Sequence, residues 1–258
     1  MENRINKLFK KKVDRILSIY FTAGYPELYS TSSIIEALDN AGVDMIEIGM
    51  PYSDPLADGP TIQKSSTVAL SNGMRLDILF KQISDIRKIS SIPLVLMGYY
   101  NQLLQFGFEE FCEKCNNAGI DGLIIPDLPP ENFTKEYSKI LEKHKLGISF
   151  LITPRSTNER INLADKLSNT FVYVVSASSV TGTTLSVEQK MIDYFNRIKN
   201  MNLKNPILVG FGISNKTAFD VTCQFANGCI IGSAFIRALN NTDNIKHSVK
   251  QFINSIKK

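Results

Sequence analysis

An eight-stranded (β/α)8 barrel is the architecture this sequence predicts, and three observations predict it. Eight short apolar runs, each followed by a segment of helical periodicity, are spread over 258 residues, which is the arithmetic of such a barrel. The runs are continuous Val/Ile/Leu stretches, the mark of parallel strands covered on both faces. No G-x-G-x-x-G follows the first run, which disfavours an open doubly wound sheet. The whole chain, 1–258, reads as one domain.

Met1–Lys12 reads as an extra amphipathic helix, with Ile5, Leu8 and Phe9 on one side. Ile16–Thr22 is the first strand, ended by the turn signal A-G-Y-P. Ser30–Asn40 is helical through Ile34, Ile35 and Leu38, and N-A-G closes it. The second strand starts at Met45. After a proline-rich loop come an extra helix, Thr61–Ser71, stopped by N-G, and another, Leu76–Ile89. Pro93–Met97 is a strand and Phe108–Asn117 a helix. Gly122–Ile125 is a strand that runs into P-D-L-P-P, and Asn132–His144 is a helix. Gly147–Ile152 is a strand, Asn158–Leu167 a helix and Phe171–Val175 a strand. A Ser/Thr/Gly-rich loop covers Ser176–Thr184, followed by a helix at Val187–Lys199. Ile207–Gly210 is a strand, Lys216–Phe225 a helix and Cys229–Ile231 the last strand. A short extra helical turn starts at Ser233, and the closing helix carries a stripe of Ile245, Val249, Phe252, Ile253 and Ile256.

Composition narrows the function. The apolar fraction, 43%, suits a globular core, and the net charge of +4 is mild and dispersed. No basic stripe with groove-reading residues exists, which argues against nucleic acid. No stretch has the length of a membrane span, and Met1–Lys12 lacks the apolar core of a signal peptide, so a cytoplasmic protein is expected. Cys112 and Cys115 form a C-x-x-C, but with Phe108 and Phe111 they follow helical spacing and read as an apolar helix face. No second C-x-x-C or histidine pair completes a metal site. The two histidines, His144 and His247, fall in helical segments away from every strand end and read as surface residues. No lysine lies on a predicted strand, so a Schiff-base nucleophile has no obvious candidate.

Two constellations remain. Glu47 sits in the apolar strand M-I-E-I-G, on the opposite face from both isoleucines, where a carboxylate is costly unless paired or chemically useful. The following loop, Met50–Pro60, holds three prolines, one glycine and the aspartates Asp54 and Asp58. It is a stiff connection on the same rim. Glu47 and Asp58 therefore suit general acid–base work at the C-terminal mouth of a barrel. The alternative is that Glu47 pairs with a lysine and Asp58 caps the helix near Thr61. The second constellation is G-F-G-I-S at Gly210–Ser214 and G-S-A at Gly232–Ala234, with V-T-G at Val180–Gly182. Glycines let the backbone approach an anion, and barrels hold phosphate at the loops after their last two strands. The alternative is that these glycines serve only tight turns. Together the residues suggest proton-transfer chemistry on a phosphorylated small molecule.

The stretch E-I-G-M-P-Y-S-D-P-L-A-D-G-P-T-I-Q resembles the signature of the tryptophan synthase alpha chain family. F-T-A-G-Y-P, I-P-D-L-P, G-F-G-I-S and I-G-S-A follow in the right order, so the resemblance covers essentially the whole chain. It implies a TIM barrel that cleaves indole-3-glycerol phosphate to indole and glyceraldehyde 3-phosphate, a step of tryptophan biosynthesis. By motif position it makes Glu47 the proton-shuttling carboxyl and Asp58 the acid that bonds the indole N–H. It puts Gly182, Gly212, Gly232 and Ser233 at the phosphate. Tyr20, Leu96, Tyr99, Asn101, Asp127, Tyr173, Thr181 and Phe211 match pocket and support positions. Tyr20 stands where phenylalanine is common. The resemblance further implies no cofactor in this chain and a beta-chain partner holding pyridoxal phosphate in an alpha2beta2 complex, with Pro51–Asp58 part of the contact. One departure lies in Ser176–Gly182, S-A-S-S-V-T-G, where Ser179 replaces a glycine and Ala177 stands where some members carry arginine. That bears on how this loop closes and on a bond from Thr181 to Asp58 on closure. A subunit that only activates its partner, and a sugar-phosphate isomerase or epimerase, are competing readings. The paired acids argue against the first, and the long second-strand signature against the second.

Overall fold

In the computed structural model, nine parallel strands run β5-β4-β3-β2-β1-β9-β8-β7-β6 around a nearly closed barrel. The structure describes residues 3–176, 184–210, 212–240 and 244–257, and in the helix that starts at Thr184 it describes side chains only from Lys190 onward. The strands are β1 (Ile16–Thr22), β2 (Met45–Gly49), β3 (Leu94–Met97), β4 (Gly122–Ile124), β5 (Gly147–Ser149), β6 (Leu151–Ile152), β7 (Val172–Val175), β8 (Ile207–Gly210) and β9 (Gly228–Ile231).

The count of nine differs from the predicted eight at one residue. Gly147–Ile152 was expected as a single strand, but its ladder switches partner at Phe150. Gly147–Ser149 pairs with β4, whereas Leu151–Ile152 pairs with β7. Between them the Phe150 N–H donates to Ser168 Oγ at 2.9 Å, and its carbonyl accepts from Tyr173 N at 3.0 Å. The backbone stays satisfied while the barrel turns its corner.

The strands are largely apolar and mostly buried because helices cover their outer faces, with Ser18, Thr22, Glu47 and Ser149 as buried polar exceptions. Ser30–Asn40 packs against both Leu76–Ile86 and the closing helix, Ile245–Lys257. The extra N-terminal helix runs Arg4–Lys11, capped by Asn3. Its Ile5 is fully buried and lies where a Cβ on Gly122 would come within 2.9 Å. Extra helices follow β2 (Pro60–Ser71 before Leu76–Ile86) and β9 (Ser233–Ala238). One more, Tyr100–Phe106, was not expected; Tyr99 and Gln102 cap it reciprocally. The helix expected from Asn132 is continuous but includes one π turn, Phe133–Tyr137.

At the N-terminal end of the barrel, short polar side chains tie strands together at alternate interfaces. Asp44 Oδ2 accepts from Leu17 N (2.8 Å), and Asp121 Oδ2 from Leu94 N (3.0 Å). Asn169 Oδ1 accepts from Ile148 N and Asn227 Oδ1 from Ile207 N, both at 2.7 Å. Each acceptor precedes a strand and holds the strand before it, with β5 and β6 counted as the one run Gly147–Ile152. Asp121 is 3% exposed and also binds Arg87 Nη2 and Arg4 Nη1, both at 2.9 Å.

His144 departs from the sequence expectation. It is buried rather than on the surface, packed at the end of Ser138–Lys143 with Nε2 3.9 Å from Glu109 Oε1. His247 is exposed. Cys112 and Cys115 are buried on the inner face of Phe108–Ala118, and burial pushes both thiols up, Cys112 to about 12.

Candidate active site

β2 carries Glu47 into the barrel beside Tyr20, its register partner on β1. Glu47 is fully buried. Among the described residues no lysine pairs with it; its polar neighbour is Ser18, whose Oγ donates to Oε1 at a long 3.4 Å, and Oε2 has no hydrogen-bond partner there. Burial therefore raises its pKa to about 8, with Ser18 opposing the shift only weakly. The carboxyl is protonated at neutral pH.

Asp58 ends the proline-rich loop. It does not cap the helix that follows: Gly59 occupies the N-cap of Pro60–Ser71 and no side chain caps that end. Asp58 instead turns to Tyr99, whose hydroxyl donates to Oδ2 at 3.0 Å and accepts from Ala57 N at 3.0 Å. Tyr52 stacks on the Tyr99 ring, with centroids 5.2 Å apart. Burial raises the Asp58 pKa to about 6, and the Tyr99 bond holds it down against that. At pH 7 Asp58 is mainly anionic while Glu47 is mainly protonated. Their environments separate two carboxyls into an acid and a base.

Tyr20 and Tyr173 face the same space from β1 and β7. Both are buried, and desolvation raises their pKa values well above ordinary phenol, with the charges of Glu47 and Asp58 adding to the shift in each case. Each ring lies across a glycine on the next strand. A Cβ on Gly49 would fall 2.0 Å from the Tyr20 hydroxyl, and one on Gly210 would fall 2.0 Å from that of Tyr173. These glycines exist to admit the rings. A cavity of about 470 Å³ opens at this point, with Tyr20, Asp58, Met97, Tyr173 and Ile230 in its wall. Gly212, Ser214, Gly232 and Ser233 line it too. Gly212 has φ +78°, a left-handed conformation that glycine adopts at no steric cost. Glu47 is not part of this wall; it lies one strand over from Tyr20, which is.

A family model described as tryptophan synthase alpha chain matches residues 7–258. The chain belongs to the tryptophan synthase alpha chain family. It is 53% identical to the tryptophan synthase alpha chain of Flavobacterium psychrophilum over 98% of this chain and 99% of that one. It is 52% identical to that of Flavobacterium johnsoniae, over 99% of this chain and 100% of the relative. Among solved structures, tryptophan synthase subunit alpha from Legionella pneumophila str. Paris superimposes with a TM-score of 0.88 at 32% identity, covering 99% of this chain and 97% of that chain.

The positions matched to the tryptophan synthase alpha chain by motif do not all fall on the cavity. Tyr20, Asp58, Tyr173, Gly212, Gly232 and Ser233 line it, and Tyr99 reaches it through Asp58. Leu96 does not. It registers with Ile48 and Leu123, on the strand face opposite Glu47, and Met97 lines the cavity instead. Alternation along a strand allows only one of two neighbours to face inward. Asp127 is exposed and away from the wall; its Oδ1 accepts from Tyr100 N at 2.8 Å, which anchors the start of Tyr100–Phe106. Asn101 donates to the Tyr52 hydroxyl at 3.2 Å. Thr181, Gly182 and Phe211, with Ala177 and Ser179, lie outside the described residues. Two wall residues had no sequence signal. Met97 is distinguishable from Leu96 only by register, and Arg237 reads as an ordinary helix-surface cation.

Proposed function

We propose that this chain cleaves indole-3-glycerol phosphate to indole and glyceraldehyde 3-phosphate, the alpha reaction of its family, with Glu47 and Asp58 dividing the acid–base work. One observation carries the assignment of the two acids. Each keeps one buried oxygen, Glu47 Oε2 and Asp58 Oδ1, with no hydrogen-bond partner among the described residues. Buried carboxylate oxygens are costly to leave unpaired, and such sites cluster where a substrate supplies the missing partner.

The chemistry asks for two different carboxyls. An indole ring leaves as a neutral molecule only after its carbon 3 has taken a proton. Glu47, protonated at neutral pH, delivers it and forms the C–H bond. The ring becomes a cationic indolenine, and Asp58, anionic, accepts a hydrogen bond from the ring N–H and stabilises that charge. The Glu47 carboxylate then removes the proton of the hydroxyl on the adjoining side-chain carbon. The carbon–carbon bond breaks, its electron pair returns to the ring, and the hydroxyl carbon becomes the aldehyde of glyceraldehyde 3-phosphate. Glu47 ends protonated, ready for another turn.

The glycine-rich part of the wall suits the phosphate, through the backbone N–H groups of Gly212, Gly232 and Ser233, with Gly182 assigned there by motif. Tyr20 and Tyr173 flank the ring. The beta chain, in an alpha2beta2 complex, carries the pyridoxal phosphate; this chain holds no cofactor of its own. Leu56, 95% exposed on the loop between Pro51 and Asp58, gives that loop an apolar tip suited to the partner. Cytoplasmic location follows from the same reading; among the described residues no helix is long and apolar enough to cross a membrane.

The test is release of glyceraldehyde 3-phosphate from indole-3-glycerol phosphate, with and without a beta chain. Glu47→Gln is expected to lower kcat by about 10²–10⁴-fold, the scale of general acid–base catalysis. Turnover indifferent to Glu47 would sink the mechanism, whatever the fold.

A further inference from the structure

Among the described residues Arg237 is the single cation in the cavity wall. It stands four residues after Ser233 on Ser233–Ala238, one turn along and on the same helix face. Among the described residues no carboxylate pairs with it. Its contact is a long hydrogen bond, 3.5 Å, from Nη1 to Thr61 Oγ1 across the rim. Every other arginine or lysine that the structure engages through a short side-chain bond has a carboxylate or a carbonyl as acceptor; this one rests on a neutral hydroxyl at the limit of hydrogen-bond length.

We propose that Arg237 is the side chain that recognises the charge of the substrate phosphate, and that it sets the preference for phosphorylated over unphosphorylated substrate. The inference rests on the proposed cleavage reaction and goes beyond its backbone phosphate grip. Charge is the reason. The wall already holds the anionic Asp58. A phosphate brings up to two further negative charges. Backbone N–H groups supply dipoles but no net positive charge. A guanidinium on the face that carries Ser233 supplies one, and trading a long bond to a hydroxyl for a charge-assisted bond to a phosphate oxygen is favourable. The side chain is exposed, so solvent moderates the gain.

The experiment compares native chain, Arg237→Gln and Arg237→Lys, each with its beta partner. It measures kcat and KM for indole-3-glycerol phosphate and inhibition by inorganic phosphate. Arg237→Gln is expected to raise both KM and the phosphate inhibition constant about tenfold, with kcat within about threefold of native, and Arg237→Lys to restore most of the loss. The lysine rescue separates charge recognition from a merely structural role. If native chain cleaves substrate and Arg237→Gln shifts neither constant by more than about twofold, the inference is overturned and the cleavage reading stands. If native chain neither cleaves the substrate nor responds to phosphate, the cleavage reading falls and takes this inference with it.

Discussion

The Tyr20 ring on β1 lies across Gly49 on β2, two positions beyond the Glu47 with which Tyr20 is in register, and it leaves no room for a Cβ. Tyr173 has the same relation to Gly210 across β7 and β8. Gly49→Ala is therefore expected to cost about 1–3 kcal/mol through overpacking and to lower kcat/KM by displacing the ring. Urea unfolding of Gly49→Ala, Tyr20→Leu and the double variant checks it: the double variant should lose less than the sum, because removing the ring removes the clash. Additive losses would refute the coupling.

Glu47 makes folding pH-dependent with a definite sign. Its pKa is about 8 in the folded chain against an ordinary carboxyl value of 4.5. Below the lower value both states are protonated and nothing is lost. Between the two the unfolded chain ionises while the folded one does not, so stability falls as pH rises, and the loss levels off above the folded pKa. Glu47→Gln is expected to be more stable than native near pH 8, by something on the order of a few kcal/mol, and equal to it near pH 4. Denaturant midpoints across that range measure the difference; a gap that does not widen with pH would contradict the assignment.

Activity should trace a bell. It needs Asp58 ionised, which fails below about 6, and Glu47 protonated, which fails above about 8. Tyr99→Phe removes the hydroxyl that holds the Asp58 pKa down. The acid limb of kcat/KM should then move to higher pH by up to about one unit, with the alkaline limb unmoved. A shift of both limbs, or of neither, would show that Tyr99 does not act through Asp58.

Asp121 is the most buried of the Asx acceptors at the barrel base. Asp121→Ala strips Leu94 N of its partner and leaves Arg87, 9% exposed and with its pKa lowered to about 10 by burial, without its carboxylate. The expected cost is about 3–5 kcal/mol. Asp44→Ala, whose ion pair with Lys12 is more exposed, should cost less. Equal losses in chemical denaturation would mean that the arginine pair adds nothing.

Most of the barrel was legible because its signals are local. Apolar runs, A-G and N-G stops and proline punctuation mark strand and helix limits to within three residues. Tyr100–Phe106 escaped because Y-N-Q-L-L-Q-F is short and its cap is a tyrosine–glutamine pair. The break at Phe150 escaped because partner exchange is a property of the closed ring, not of the six residues that make it. At the site, Glu47 and Asp58 stood out as acids where acids are unusual. What Asp58 bonds was hidden, since Tyr99 is 41 residues away and only the fold brings it near. Leu96, matched to the pocket by motif, is not in the cavity wall, because register puts it on the strand face opposite Glu47.

The Asx ties at the barrel base bear on how the chain is made. Each joins groups 20 to 27 residues apart in sequence, so each is available to a growing polypeptide soon after its second strand leaves the ribosome. The ladder between β1 and β9 is different: Ile16 meets Gly228. Until that last strand is synthesised, β1 presents one row of unpaired backbone groups to whatever is nearby, in the crowded space where neighbouring nascent chains carry the same open edge. Translation that stalls short of Gly228 leaves tied strand pairs in a ring that cannot shut, a species suited to chaperone capture rather than to catalysis.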